Sequence, residues 1–386
     1  MTTEWTFPSR IVFGAGVVAG LPDALRALGA ERPLVVTDEG LVRAGQAERV
    51  LRLLREAGLA PRLEAGVPPR PTEEDVRRVV AVYAEQDADA LVGLGGGASL
   101  DVARLARLLV AGASSLEPFV VGGRTSVPEL GAPLRPVPLV AVPTTAGTGS
   151  EAAPVAFVRL GRGLRAAMVR DEALRPQLAL LDPELTVTLP PELTAATGFA
   201  ALTHCIEAYC APGENPVADA VALQGVRLVA RWLERAVQDG EDLAARGAML
   251  QAAALGGMAL AKGTGPAHVM ARPLAGEYGL HHGLGAALCL PAVLDFQRHA
   301  AQERLAAVAR ALGVRGDDEE TLAFECSGAV RALRDRVGLP GGLARLGVES
   351  ERLARLAKLA YGDPAGWGGA RACERQDVEA LYRASL

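Results

Sequence analysis

The chain has 386 residues, half of them apolar and 22% charged, with a formal net charge of −5. That length exceeds one ordinary core and predicts two domains, while the acidic balance and a pI near 5.7 exclude a basic nucleic-acid-binding surface. No uninterrupted apolar run reaches the roughly 18 residues that a bilayer span requires, so no membrane partner is expected.

The start, Met1-Thr2-Thr3-Glu4-Trp5, lacks the basic residues and apolar stretch of a signal peptide. Cys205, Cys210, Cys289, Cys326 and Cys373 form an odd, scattered set without a CxxC pair. They read as reduced thiols of a soluble, cytoplasmic protein, and not as a disulfide framework or zinc knuckle.

In chain order, short β-rich runs alternate with helical patterns in the first half. The strand Arg10–Phe13 precedes a helix around Leu21–Leu28, and Leu34–Thr37 precedes Ala47–Ala57. Ala88–Leu94 then leads into a helix over Leu100–Val110, and the strand Val137–Val142 closes this part. Such alternation predicts a mostly parallel, Rossmann-like sheet covered on both faces. From about Asp182 the character changes. Val217–Ala236, Leu243–Ala261, Glu303–Leu312, Leu322–Val337 and Asp377–Ala384 carry apolar residues at three- and four-residue spacing, which predicts helices. The expected architecture is an α/β domain over residues 1–182 followed by an all-α domain over 183–386. No internal repeat and no low-complexity linker is present.

Two glycine clusters compete for a dinucleotide. Gly14-Ala15-Gly16-Val17-Val18-Ala19 follows a strand and has Asp38 roughly 20 residues beyond it, which fits the Rossmann fingerprint of phosphate-approaching glycines and a ribose-binding acid. Gly95-Gly96-Gly97-Ala98-Ser99-Leu100-Asp101 joins a buried-looking strand to a helix. There glycines free the backbone to approach a phosphate, and a helix start offers unpaired N–H groups. Either cluster can also be read as a tight turn. A third segment, Pro143-Thr144-Thr145-Ala146-Gly147-Thr148-Gly149-Ser150-Glu151, follows the strand Val137–Val142. Hydroxyls and glycines at a strand's carboxyl end suit a ligand bound where α/β sheets place their cofactors.

Only five histidines are present, and four lie in two stretches: His204 in a helix expected over Phe199–Tyr209, and His268, His281 and His282 farther on. Scarce imidazoles grouped in this way point to a metal or proton-transfer site.

Together these segments resemble the iron-containing, group III alcohol dehydrogenases, including their maleylacetate reductase branch. The resemblance runs nearly end to end. It covers Arg10–Gly16, Val36-Thr37-Asp38, Gly95–Asp101, Pro143–Glu151, Leu181–Thr186, Leu202-Thr203-His204 and His282-Gly283. It implies that the early GxG is structural and that Gly95, Gly96 and Gly97, with Ala98 and Ser99, cradle the pyrophosphate. Asp101 would stand at the following helix start, Thr144, Thr145 and Thr148 would line the nicotinamide side, and Asp38 would take the adenosine ribose. A carboxylate at that position repels a 2′-phosphate and favours NAD over NADP, whereas Arg70 adds a cation that keeps NADP open. The family's serine and lysine in this loop and helix are Ala98 and Arg104 here.

The resemblance also implies metal ligands at His204, His268 and His282, for Fe²⁺ or Zn²⁺. The family's aspartate one turn before the first of these is Ala200, which leaves three imidazoles and no acid. The family's relay histidine, four residues after His268, is Arg272. Arginine cannot serve as a base at neutral pH, but it can hold a carboxylate or stabilise an oxyanion; it can equally form an interdomain salt bridge. The resulting expectation is an NAD(P)-dependent oxidoreductase moving hydride between nicotinamide and a small carbonyl or alcohol. It would work as a reductase on an anionic substrate, with Arg272, His268 and His282 as catalytic groups, and assemble as a homodimer. The alternatives are a maleylacetate reductase-like enzyme without a metal, a non-redox NAD-using lyase or cyclase, and an idle nucleotide-binding homologue.

Overall fold

A computed structural model describes residues 10–121, 137–161, 165–363 and 368–386; the Met1–Trp5 start lies outside these residues. Two units emerge. One holds residues 8–145 and 150–188, and the other holds the segment Ala146–Gly149 together with Leu189–Leu386.

The α/β unit contains β1 (Arg10–Phe13), α1 (Leu21–Ala27), β2 (Pro33–Val36), α2 (Glu39–Arg43), α3 (Gln46–Glu56), β3 (Arg62–Glu64), α4 (Glu73–Glu85), β4 (Ala90–Gly95) and α5 (Gly97–Val110). It continues with β5 (Leu139–Pro143), β6 (Val155–Leu160), β7 (Arg165–Arg170) and β8 (Leu178–Leu181). Six strands form one parallel sheet in the order β1-β8-β5-β4-β2-β3, and β6 and β7 form a separate antiparallel hairpin. Successive strand side chains face opposite sides, and the core divides accordingly. Val35, Val92, Val140 and Leu180 pack with Leu25 of α1 and Val50 and Leu54 of α3. Leu34, Val36, Leu91 and Leu139 pack on the other face with Val76 and Val79 of α4 and Val102 of α5. The expected doubly covered parallel sheet is therefore present.

The second unit is helical: α6 (Pro191–Cys210), α7 (Pro216–Gln238), α8 (Leu243–Ala259), α9 (Pro266–Tyr278), α10 (His282–Gln297), α11 (Gln302–Ala311), α12 (Glu319–Arg336), α13 (Leu353–Tyr361) and α14 (Arg375–Ala384). Among the described residues no helix is long and apolar enough to cross a membrane. Two boundaries differ from expectation in a way that bears on the site. The helix expected from Leu100 begins at Gly97, because Gly96 is already its N-cap. The helix expected from Phe199 begins at Pro191, where proline's fixed φ and missing N–H suit a first turn.

Candidate active site

At the carboxyl edge of the parallel sheet, Gly95 of β4 is in register with Pro143 of β5, and Gly93 with Val36 of β2. The residues that follow these strand ends therefore share one edge. The chain leaves β4 through Gly95 at φ 145°, a backbone region that favours glycine. A Cβ there would sit 2.7 Å from the Ser99 hydroxyl. The Thr144 N–H donates to the Gly95 carbonyl at 3.0 Å, and a Cβ on Gly96 would meet the Thr145 hydroxyl at 3.3 Å. Helix α5 starts here with no side-chain cap, so its leading N–H groups and positive dipole end face the edge without a built-in anion. Asp38, just past β2, caps α2 by accepting the Leu41 N–H at 3.1 Å and accepts the Ser99 hydroxyl at 3.4 Å. Gly95, Gly96, Gly97, Ser99, Thr144, Thr145 and Asp38 are thus gathered at one place.

Some of the residues expected here send their side chains away from that edge. Ala98 packs against the core. Asp101 is buried, with one oxygen accepting from Arg104 at 2.9 Å and the other from the Phe157 N–H at 2.9 Å. Burial raises its pKa while Arg104 opposes that rise. Its carboxylate is thus committed to protein partners, and its place is behind the glycine loop. Arg104 is itself fully buried and also donates to the Leu174 and Ala153 carbonyls. Nearby, Glu151 has a buried oxygen with no hydrogen-bond partner, and burial pushes its pKa to about 7. Arg70 is exposed beyond β3. At the early GxG, the Gly16 and Val18 N–H groups both donate to Asp182 at 3.1 Å; a carboxylate from the chain itself fills the role a phosphate would take.

Thr148 lies in the Ala146–Gly149 turn, which packs with the helical unit. Gly149, at φ 64°, touches α8 backbone to backbone: a Cβ on it would sit 2.3 Å from the Ala253 carbonyl oxygen, and one on Gly257 would sit 2.1 Å from the Gly149 oxygen.

Within the helical unit, α6, α9 and the start of α10 bring the three histidines together. The His204 and His268 rings stack at 4.0 Å between centroids with a 14° interplanar angle, and His268 and His282 lie 5.4 Å apart at 40°. All three are held neutral. Burial is the main cause, and it lowers His268 to about 3 with Arg272 adding to the effect; His204 and His282 fall well below the usual imidazole value. His281 is turned away to N-cap α10, its Nδ1 accepting the Gly283 N–H at 3.2 Å.

Glu207, one turn beyond His204 on α6, was not among the expected site residues. It accepts the N–H groups of Ala267 at 2.6 Å, Gly265 at 3.0 Å and His268 at 3.4 Å, and it pairs with His268 Nδ1 at 2.6 Å. Burial pushes its pKa to about 7, against the pull of those three N–H donors. An acid three residues after a histidine in a helix shares that histidine's side, and this was the available sequence signal. Behind Glu207 a cavity of about 10 Å³, bordered by Gln297 and Gly265, has the size of a single water.

The orphaned atoms are His204 Nδ1 and His268 Nε2, both buried without a partner. Unpaired imidazole nitrogens are metal-ligand chemistry, but face-to-face rings send their in-plane lone pairs side by side. Among the described residues no group of three metal-binding side chains gathers around a common point. The acid's position is taken by the buried methyl of Ala200, which lies against Gly283. The donor set does not fit a tightly held divalent ion. Arg272 pairs with Asp363 at 2.5 Å, so its ion pair forms inside the helical unit and is not interdomain. Cys205 and Cys210 are buried, with thiols pushed up to about 12, as packing residues would be.

Residues 8–183 match the family described as iron-containing alcohol dehydrogenase, and residues 194–386 match the Fe-containing alcohol dehydrogenase family, C-terminal. The chain is 36% identical to the NAD-dependent methanol dehydrogenase of Bacillus methanolicus, over all of both chains. It superposes on the crystal structure of a 1,3-propanediol oxidoreductase with a TM-score of 0.94 at 32% identity, covering 100% of each chain. A maleylacetate reductase from Agrobacterium tumefaciens follows at 0.82 and 25%, covering 100% of this chain and 97% of that one. The chain belongs to the iron-containing alcohol dehydrogenase family and is an alcohol dehydrogenase-type oxidoreductase.

Proposed function

We propose that the protein transfers hydride between C4 of a nicotinamide dinucleotide and a small alcohol or carbonyl compound, with NAD preferred over NADP. The uncapped start of α5 at the carboxyl edge of the sheet carries this reading, with Asp38 and Thr145 beside it. The pyrophosphate would take the free N–H groups of the Gly95–Gly97 loop and the first turn of α5, while Asp38 would take the ribose hydroxyls and repel a 2′-phosphate. The α/β unit is the dinucleotide-binding domain of this reading. In this reading the groups of the helical unit that serve the carbonyl or hydroxyl group are His204, His268 and His282.

A second part of the proposal concerns the metal. Three neutral imidazoles without a common focus, and a methyl where an acid is expected, support turnover without a tightly bound ion. Polarisation of the substrate oxygen then falls to hydrogen bonds from the site itself. The anionic-substrate expectation rested on the missing acid at Ala200 together with Arg272. Its pairing with Asp363 leaves that guanidinium already compensated, so the reading favours small neutral alcohols and aldehydes in either direction.

The test is direct. NADH and NADPH binding is followed by fluorescence, then absorbance of NADH is monitored with a panel of alcohols, aldehydes and keto acids, before and after chelation. NADH binding with turnover that survives chelation is expected. Nucleotide binding without turnover of any substrate would favour the idle homologue. Sedimentation equilibrium reads the homodimer that the family resemblance implies.

A further inference from the structure

We infer that Gly257 is a positioning residue for hydride transfer. Its bare Cα is the seat on α8 for the Gly149 peptide, and that seat sets where Thr148 stands against the nicotinamide, a role that takes its ligand from the dinucleotide reading and its geometry from packing alone.

The segment that follows β5 is held by different means at its two ends. At the near end the Thr144 N–H donates to the Gly95 carbonyl at 3.0 Å, and the Thr145 hydroxyl would meet a Cβ on Gly96 at 3.3 Å. At the far end Ala146–Gly149 is held by the helices. A Cβ on Gly147 would sit 2.9 Å from the Thr197 Cβ of α6 and 3.0 Å from the Thr197 carbonyl oxygen. A Cβ on Gly149 would strike the backbone of α8, 2.3 Å from the Ala253 oxygen and 2.6 Å from the Gly257 nitrogen. Two glycines of one turn thus lie flat on two helices, and Thr148 between them moves only if the turn moves.

Glycine is a poor helix former, yet α8 carries one at 257, in its last turn. The contact with Gly149 accounts for it. A Cβ on Gly257 would lie 2.1 Å from the Gly149 oxygen, 2.8 Å from its carbonyl carbon and 2.9 Å from its Cα. All three are backbone atoms, which cannot swing aside as the tip of a side chain can. A methyl at 257 would therefore drive the turn off the helix by about 1 Å, to the 3.0 Å below which Cβ contacts essentially never fall. No residue of α8 takes part in the contacts of Asp38, Gly95 or Thr144. The displacement falls on the Thr148 end, where the nicotinamide would lie, and spares the pyrophosphate and adenosine end. Gly257 acts through the turn and touches no substrate.

Gly257→Ala tests this, read as kcat per nucleotide-binding site and as affinity for NADH beside ADP-ribose, which lacks the nicotinamide. The expected result is a kcat lowered by about 100-fold, the cost of a 1 Å misplacement, with ADP-ribose affinity unchanged and the advantage of NADH over ADP-ribose reduced. Gly147→Ala presses the same turn from α6 at the milder 2.9 Å. It should shift kcat and the affinity ratio in the same direction by smaller factors, and it decides the point if Gly257→Ala does not fold. A role confined to packing would lower Tm and the number of binding sites while kcat per site stayed at the wild-type value; that result overturns the inference. A parallel loss of ADP-ribose affinity overturns it as well. Wild-type protein that binds neither NADH nor ADP-ribose overturns the dinucleotide reading and the role of Gly257 with it. Wild-type protein that binds both but turns over no substrate overturns only the oxidoreductase reading, and the affinity ratio in the two variants then decides whether Gly257 positions the nicotinamide.

Discussion

An Ala200→Asp substitution would place a carboxylate one helical turn before His204, against Gly283 at the start of α10. Ala200 is 3% exposed, so without a cation the new acid is held in its neutral form. Keeping an aspartic acid of ordinary pKa protonated at pH 7 costs about 1.4 kcal/mol per pH unit, or about 4 kcal/mol in all as an upper bound. In a unit of this size each kcal/mol lowers Tm by about 2–4 °C, which gives a drop of about 8–16 °C. A divalent ion drawn to this acid and the neighbouring His204 would return stability by mass action, about 2.7 kcal/mol at a hundredfold excess over Kd, or about 5–11 °C. The assay is thermal unfolding of wild type and variant with and without Zn²⁺ or Fe²⁺, paired with metal analysis of both proteins. The wild type should show no metal-dependent shift and the variant should show a clear one. Stoichiometric metal in the wild type, with a Tm rise equal to the variant's, would refute the reasoning.

Four further outcomes are expected. Asp38→Asn should raise the ratio of NADPH to NADH efficiency by about tenfold, equivalent to about 1.4 kcal/mol, read from steady-state kinetics with both cofactors. Asp363→Asn should remove the negative charge that compensates Arg272 and strengthen its attraction for an anion, a charge-assisted contact being worth about 1.5–3 kcal/mol; KM for carboxylate-bearing aldehydes should fall by about tenfold, and an unchanged KM would show that Arg272 does not face the substrate. Gly149→Ala combines a left-handed backbone cost of about 1–2 kcal/mol with overpacking of about 1–3 kcal/mol. It should therefore unfold well below Gly279→Ala, which has a similar φ of +67° but open space around it. Glu151 titrates near 7 when folded, raised from 4.5, so the native state binds more protons. Its stabilising contribution is complete below about pH 4.5 and is lost as pH rises through about 7. Glu151→Gln should flatten that part of the Tm–pH profile, and a slope identical to wild type would rule the assignment out.

The parts of the molecule that local pattern governs were legible in the sequence. Ala90–Gly95 followed by glycines predicts a buried strand running into a helix start, and the structure has β4, Gly95 and α5 in that order. Thr72 and Asp75 form a capping box at α4, a signal present in the sequence although that helix was not assigned. Helices α9 and α10 were hidden for a different reason. They are buried on nearly all sides and carry Pro273 and Pro291 in their interiors, so neither an amphipathic period nor an uninterrupted helical composition marks them. The site divides in the same way. Grouped histidines and the absent acid at Ala200 can be read along the chain. The Glu207 carboxyl group that meets His268 stands 61 residues away, and the aspartate that pairs with Arg272 stands 91 away; only folding brings such partners together. Asp101 shows the reverse case, a residue well placed in sequence whose side chain turns inward to Arg104 and Phe157.

The four residues Ala146–Gly149 belong by their contacts to the helical unit although the chain on either side of them belongs to the sheet. Modularity is therefore lost. A fragment beginning at Leu189 would lack the peptide that seats Gly149 on Gly257, and a fragment ending at Thr188 would carry that peptide with nothing to seat on. No single cut yields two complete pieces, so insertion and swapping of these units should fail where a simple two-domain boundary would suggest success. A lineage that exchanged its helical half for another would have to alter the Thr-Thr-Ala-Gly-Thr-Gly segment at the same time. That segment is thereby constrained twice, by the strand it leaves and by the helix it seats on.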